Sequence, residues 1–442
     1  MASQDPTLRR SLARRTLAGA RASTGVRASG VLLGSAAVTL AGSYLFNLIC
    51  IRWLGARDYG DVAALTTIAT MVLLPLVGVQ AALAREVATF NAEKNDAAIS
   101  SLLTVTIRRA LLVGVPALLL LLAISPVLAN ALNIDATASA VAAVILVCAA
   151  APIPVLQGFL QGLERYALMA AGLVANGFGR ALLVMPILLA GFGVWGALTA
   201  GTIAAVAAVA ITLVGLRDVW RQPSGAKIDL DLKGFKLVIF GLFAFTVLMN
   251  ADVLAAKAFL PEDDAGRYAS ASLVGKLAAL LPVGVIAPVL LPRATARLHR
   301  GENAHALVAR SLLATASFGA LLTLVLIAVP QSLVEWGFGE QFGDARDLLA
   351  PCAAVMTLCG LLNVNLTFAF ALRDHWLIAL LGLAVLVEAA LFGVLHGSGY
   401  QILAATAIAA LTVIVPHELR SPASMWRLSK LAGAARGRPL RP

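Results

Sequence analysis

Few residues in this chain could do chemistry, and those few are ionisable or amide groups set inside long apolar runs. Arg180 lies in the run 167–190, Lys276 in 269–291, Asp252 in 235–258 and Glu388 in 377–396. At the centre of a bilayer such a charge costs about 2.5–3.5 kcal/mol on insertion scales, so it persists where it meets water, an opposite charge or a ligand. Arg180 sits roughly 20 Å along its helix at 1.5 Å per residue. Asn176 is one turn before it and Gly172 another turn back, so a guanidinium, an amide and a small residue share one stripe. That stripe suits a polar cavity able to hold an anion; a structural ion pair is the alternative. Lys276 either lines the same cavity or snorkels to the interface. Asp252, two residues after Asn250, either borders the cavity or pairs with Lys276 as a structural lock. Asn47 falls inside the first apolar run and Arg52 closes it. Asn363 and Asn365 are two apart and point to different faces, so one can line a cavity while the other bonds between helices. Glu388 is the carboxylate deepest in its helix and would bind a proton or sodium ion, or be paired structurally.

None of these groups forms a catalytic constellation. HExxH, GxSxG and the Walker GxxxxGK[ST] sequence are all missing. No enzyme activity, cofactor or metal is expected, and any transport must draw on an ion gradient, the membrane potential or consumption of product. Cys50, Cys148, Cys352 and Cys359 all fall in apolar runs without CxxC spacing, which reads as buried free thiols. The five histidines lie at loops or helix ends.

Positioning these residues requires a membrane. Hydrophobic residues make up 60% of the 442 and charged ones 13%, and the mean hydropathy is +0.89. A soluble domain carries roughly 25% charge. Runs of spanning length predict twelve helices, near 29–51, 59–82, 108–130, 137–159, 167–190, 194–216, 235–258, 269–291, 307–329, 348–371, 377–396 and 400–417. The polar link 217–234 divides them into six and six. An even number per half returns the chain to its starting side, so the halves should be parallel repeats related by an axis along the membrane normal. A short internal match supports this. Arg52-Trp-Leu-Gly-Ala-Arg-Asp-Tyr-Gly60 is followed by Leu74-Pro75, Gly78 and Arg85; Lys257 to Gly266 is followed by Leu281-Pro282, Gly284 and Arg293. Gly60 and Gly266 are 206 apart, Pro75 and Pro282 are 207 apart, and the paired prolines suit helices that bend during transport. With the N-terminus cytoplasmic, 27 of the 34 basic residues fall on the cytoplasmic side and five on the other, as the positive-inside rule requires. The net charge of +11 therefore serves the anionic leaflet and not a nucleic acid.

The stretch Asn47-x4-Arg52-Trp-Leu-Gly55-x3-Tyr59-Gly60, running to Gly78 and Arg85, resembles the opening of bacterial polysaccharide (oligosaccharide) flippases. These belong to the multidrug/oligosaccharidyl-lipid/polysaccharide exporter superfamily. Asp252-Val-Leu, Phe259-Leu-Pro, Gly266-x-Tyr268-x-Ser-Ala271 and Leu291-Pro292 resemble that family's seventh and eighth helices. The resemblance implies an all-α integral membrane protein of about twelve transmembrane helices in two six-helix lobes. These would be a basic cytoplasmic tail (1–28), an N-terminal lobe (29–216), a cytoplasmic linker (217–234), a C-terminal lobe (235–417) and a second basic tail (418–442). It implies flipping of a polyprenyl-pyrophosphate-linked sugar across the bacterial cell (inner) membrane by alternating access. The substrate-binding residues would be Arg52, Arg180 and Lys276 with Asn47 and Asp252 as polar neighbours, joined by Asn176 from its stripe, and Glu388 or Asp252 would couple an ion. The expected partners are a lipid-linked glycan, membrane lipids and glycosyltransferases or a polymerase, around a monomer. An ion-coupled multidrug antiporter of the same superfamily and a scaffold for glycan-assembly enzymes are the competing expectations.

Overall fold

A computed structural model describes residues 6–134, 136–222, 236–282, 305–372 and 374–420, with isolated positions between 284 and 300; side chains are described from residue 30. Every regular element among the described residues is helical. The first half comprises α1 (Pro6–Leu73), α2 (Leu76–Ala92), α3 (Asp96–Ala131), α4 (Thr137–Ala150), α5 (Pro152–Gly162), α6 (Tyr166–Leu189) and α7 (Gly193–Gly215). A single turn, α8 (Arg217–Trp220), opens the central link, whose residues 223–235 lie outside the described set. The second half comprises α9 (Lys236–Phe259), α10 (Glu262–Gly275), α11 (His305–Ile327), α12 (Gln331–Phe338), a 3-10 turn at Glu340–Ala345, α13 (Arg346–Leu372), α14 (His375–Phe392) and α15 (Gly399–Arg420).

The protein is an all-α, multi-pass membrane protein of about twelve spans in two six-helix lobes. Among the described residues, ten helical stretches are long and apolar enough to cross a bilayer, and the first of them, Gly30–Ala92, is 63 residues long. It holds two spans, because α1 is broken at Gly55, whose φ of 79° and ψ of 177° no L residue adopts comfortably. The eighth span begins at α10.

Local chemistry explains the boundaries. Asn95 caps α3 by accepting from Ala98 N at 3.0 Å, and Asp96 adds charge to the first turn. Pro261 precedes α10, whose first turn carries Glu262, Asp263 and Asp264. Asp374 caps α14 through Trp376 N at 2.9 Å. Pro75 separates α1 from α2, and Pro152 starts α5 after the turn at Ala151.

Several expectations need correction. Residues 6–28 of the basic tail are helical and continuous with α1, while 421–442 lies outside the described residues. The third helix starts twelve residues early, at Asp96, because a capped polar turn extends it beyond the apolar run. The eighth starts at Glu262, directly after Pro261, with an acidic first turn and no side-chain cap. Its described interruption falls at Lys276, six residues before Pro282. Residues 331–345, between the ninth and tenth spans, fold into α12 and the 3-10 turn instead of a loop.

The lobes meet along α1, which packs against α9 and α10, and where α2 crosses α9. One buried cluster is shared by both, joining Phe46, Ile51 and Tyr59 to Tyr268, Phe342 and Leu349. Other clusters are internal to one lobe, such as Leu83, Leu102, Phe159 and Leu160 in the first half. The outer faces carry exposed Leu112, Val214 and Leu386, as expected where lipid tails are the solvent.

Candidate functional site

The repeat glycines lie against each other. A Cβ on Gly60 would stand 3.3 Å from the Gly266 nitrogen, and one on Gly266 would stand 1.7 Å from the Ala56 carbonyl oxygen. The two halves therefore approach backbone to backbone at one end of the seam. Polar contacts surround this point. Breaking the helix at Gly55 frees the Ala56 N–H, which donates to Gln341 Oε1 of the other lobe at 3.2 Å. Arg57 pairs with Glu262 at 2.6 Å. Lys257, only 2% exposed, pairs with Asp61 at 2.5 Å. Arg52 donates to the carbonyls of Trp336 and Gly337. Tyr59 and Phe342 meet edge to face at 6.3 Å.

Beyond this closure, between the lobes, lies a cavity of about 140 Å³. The first lobe contributes Phe46, Asn47, Tyr59, Ala63, Thr66, Thr67, Thr70 and Arg180; the second contributes Asn250, Val253, Ala269, Leu273 and Lys276. Arg180, on α6, stacks its guanidinium over the Phe46 ring at 4.9 Å. Its Nε is buried and makes no hydrogen bond. Lys276 donates to Asn250 Oδ1 at 3.0 Å and has Asp252 Oδ1 at 3.8 Å. Asn47 donates to Ser43 O at 2.8 Å and accepts from Tyr59 Oη at 3.3 Å. Two cations, one from each lobe, thus face one small polar space, and among the described residues no carboxylate lines it. The volume is below the roughly 300 Å³ at which small-ligand pockets begin, so this is a contracted arrangement. Tyr59, Asn47 and Thr66 crowd it from one side, while Thr70 is exposed at its rim.

A sequence profile of the family described as polysaccharide biosynthesis protein matches residues 26–299, more than half of the chain. The chain belongs to that family. Its fold is that of the multidrug/oligosaccharidyl-lipid/polysaccharide exporter superfamily. An inward-facing multidrug MATE transporter of that superfamily is similar, with a TM-score of 0.69 at 14% identity over 90% of this chain and 96% of the other. The lipid II flippase MurJ in an inward closed conformation aligns with a TM-score of 0.62 at 11% identity over 88% and 86%. The Vibrio cholerae MATE transporter VcmN, in a mutant form, aligns with a TM-score of 0.62 at 14% identity over 90% and 98%. No curated protein sequence gives a significant match.

The cavity collects Arg180, Lys276 and Asn47 from the expected set. The other expected residues fall elsewhere. Arg52 lies at the closed end, exposed and engaged with α12, because the bend at Gly55 follows it directly. Asn176 does not line the cavity; its helical stripe continues from Gly172, which faces Thr212 of α7 inside the first lobe. Asp252 is fully buried behind the cavity, accepting from Ser272 Oγ at 2.8 Å and Tyr268 Oη at 3.1 Å. The expected lock to Lys276 is present at 3.8 Å, secondary to the Asn250 bond. Glu388 is 1% exposed inside the second lobe, with the Thr406 side chain beside its carboxylate.

Sequence reasoning passed over the threonines of the first lobe. Their signal lies in the spacing: Thr66, Thr67 and Thr70 follow Ala63 at i+3, i+4 and i+7, one helical face.

Proposed function

We propose that this protein moves a lipid-linked oligosaccharide, or a related polyprenyl-pyrophosphate precursor, across the bacterial cell membrane by alternating access. The observation that carries the reading is the pair Arg180 and Lys276, donated by opposite lobes to one cavity that no described carboxylate lines. A pyrophosphate carries about two negative charges at neutral pH, and guanidinium matches phosphate oxygens in a bidentate fork. Cations drawn from both lobes hold an anion only while the lobes are close, so ligand and closure are coupled. The lobes, 29–216 and 235–417, would move about the linker 217–234, flanked by tails 1–28 and 418–442. Both termini would be cytoplasmic, in keeping with 27 of 34 basic residues on that side. The lipid tail stays in the bilayer. Glycosyltransferases that build the precursor and a polymerase that consumes it are the natural partners of a monomeric carrier.

The motion needs an energy source. Asp252 and Glu388, both buried in the second lobe, are the candidates for coupling to a proton or sodium ion. Buried carboxylates also underlie the competing reading, a small-cation or drug antiporter. That reading would place acids in the cavity wall, whereas the ionisable groups lining it are Arg180, Lys276 and Tyr59.

The test is translocation of fluorescent undecaprenyl-pyrophosphoryl sugar in proteoliposomes. Arg180→Gln with Lys276→Gln is expected to abolish it while the protein remains monodisperse. Undiminished translocation by that double variant would refute the proposal. If translocation responds to a pH or sodium gradient, Glu388→Gln should remove the response.

A further inference from the structure

The cavity joins two chemistries, the cations and a pair of threonine hydroxyls with a distinct recognition property. Thr66 and Thr70 both line it from the second arm of α1. The Thr66 hydroxyl donates to Val62 O at 2.7 Å, with Ala63 O at 3.2 Å. The Thr70 hydroxyl donates to Thr66 O at 2.9 Å. Each hydroxyl has one proton, and both protons are spent on carbonyls of the helix's own preceding turn. What remains facing the cavity is lone pairs. At these two positions the wall therefore accepts hydrogen bonds and has none to give, although Asn47 beside them keeps one amide proton free.

An ionised phosphate oxygen only accepts, so it finds no donor in these two hydroxyls. A sugar hydroxyl carries a proton and can donate to them. The cations have the opposite chemistry: Arg180 and Lys276 line the same space and can only donate. The wall also has depth. Thr66 is half-buried and Thr70 exposed at the rim, so the acceptors form a track from the entrance toward the cations.

Resting on the function proposed above, we infer that Thr66 and Thr70 are specificity-determining residues that read the sugar next to the pyrophosphate through its hydroxyl donors. Arg180 and Lys276 take the phosphates; the threonines decide whether a sugar follows them. A site built to pair a substrate hydroxyl discriminates strongly against the analogue that lacks it.

The experiment measures binding of two probes to the full-length protein in nanodiscs: undecaprenyl pyrophosphate, and the same lipid bearing one N-acetylhexosamine. Wild-type protein should prefer the sugar-bearing lipid. In Thr66→Val with Thr70→Val, which keeps the side-chain shape, affinity for the sugar-bearing lipid should fall about tenfold, the value of one or two lost hydrogen bonds. Affinity for the sugar-free lipid should be unchanged, and Thr66→Ser with Thr70→Ser should restore the preference. The single valine variants should each lose part of it, which keeps the test open if the double variant fails to fold. Equal weakening toward both lipids, or no change toward either, overturns the inference while leaving the proposed function intact. Wild-type protein that binds neither lipid overturns both.

Discussion

At the scale of single residues, the buried pair Asp61–Lys257 joins the lobes, with nitrogen and oxygen 2.5 Å apart and exposures of 2% and 13% at the Lys and Asp side chains. Removing one member of a buried pair leaves the other charge uncompensated, which costs about 3–5 kcal/mol, whereas removing both costs far less. Lys257→Met is therefore expected to lower the melting temperature in detergent by several degrees, and the exchange Asp61→Lys with Lys257→Asp to recover part of the loss. The interfacial pair Arg165–Asp218 should behave differently. Arg165 holds the Asp218 carboxyl down to about 2 from an ordinary 3.8. A depressed carboxyl stabilises the fold above its unfolded value and loses that contribution as the pH falls toward 2. Because both side chains are substantially open to water, Asp218→Asn should cost under about 1 kcal/mol. A pH series of melting curves should show that difference steady from pH 8 to 5 and shrinking below it. Residue positions are legible in the sequence where cost is the signal: Arg180 and Lys276 stand out because a charge in a bilayer must be answered, and both line the cavity. Arg52 and Asn176 are absent from its lining because a stripe fixes the face of a helix and not how far along it a cavity reaches.

At the scale of elements, the seam depends on a backbone approach that only glycine permits. A side chain at Gly266 would collide with the Ala56 backbone at 1.7 Å, and a carbonyl cannot swing aside as a side chain can. At Gly60 the nearest atom would be 3.3 Å away, a tight contact that a small shift relieves. Gly266→Val should therefore prevent closure and abolish translocation, while Gly60→Ala should keep most of it. A cysteine at Ala56 should react with an impermeant maleimide in the Gly266→Val background and resist it in the wild-type background. Equal protection in both would show that the seam tolerates the side chain. The number and order of helices are readable because twenty-residue apolar runs admit little else in lipid. The breaks are less so. Pro75 and Pro152 interrupt helices as expected, yet the bend at Gly55 and the turn at Lys276 follow from tertiary contacts with the other lobe and with Asn250. The GxxxG spacings Gly30–Gly34 and Gly158–Gly162 make the same point. Gly158 and Gly162 pack against α2, where added Cβ atoms would stand 2.8 Å from Gln80 O and 2.6 Å from Val87 Cβ; Gly30 and Gly34 have nothing within 4 Å among the described residues. The motif says that a helix can be approached, and the fold decides whether anything approaches.

At the scale of the whole molecule, the offset of 206 between Gly60 and Gly266 becomes a physical axis, because the equivalent residues of the two halves touch. Symmetry in position is broken in chemistry: at the same offset, Thr70 of the first lobe corresponds to Lys276 of the second. At this pair of positions one half brings an acceptor and the other a cation, while the first half supplies its own cation, Arg180, from α6. If closure at the Gly60–Gly266 end alternates with closure at the other, locking the first should trap the carrier with its cavity still reachable through the Thr70 rim. Arg57 and Glu262, in contact across the seam at 2.6 Å, are the positions to lock. Replacing both by Cys and joining them with a short bis-methanethiosulfonate should stop translocation and leave headgroup binding within roughly twofold, since the cations and their cavity are untouched. Reduction should restore translocation. Loss of binding on cross-linking would mean that the seam and the cavity are not separable, and undisturbed translocation would mean that this end never opens.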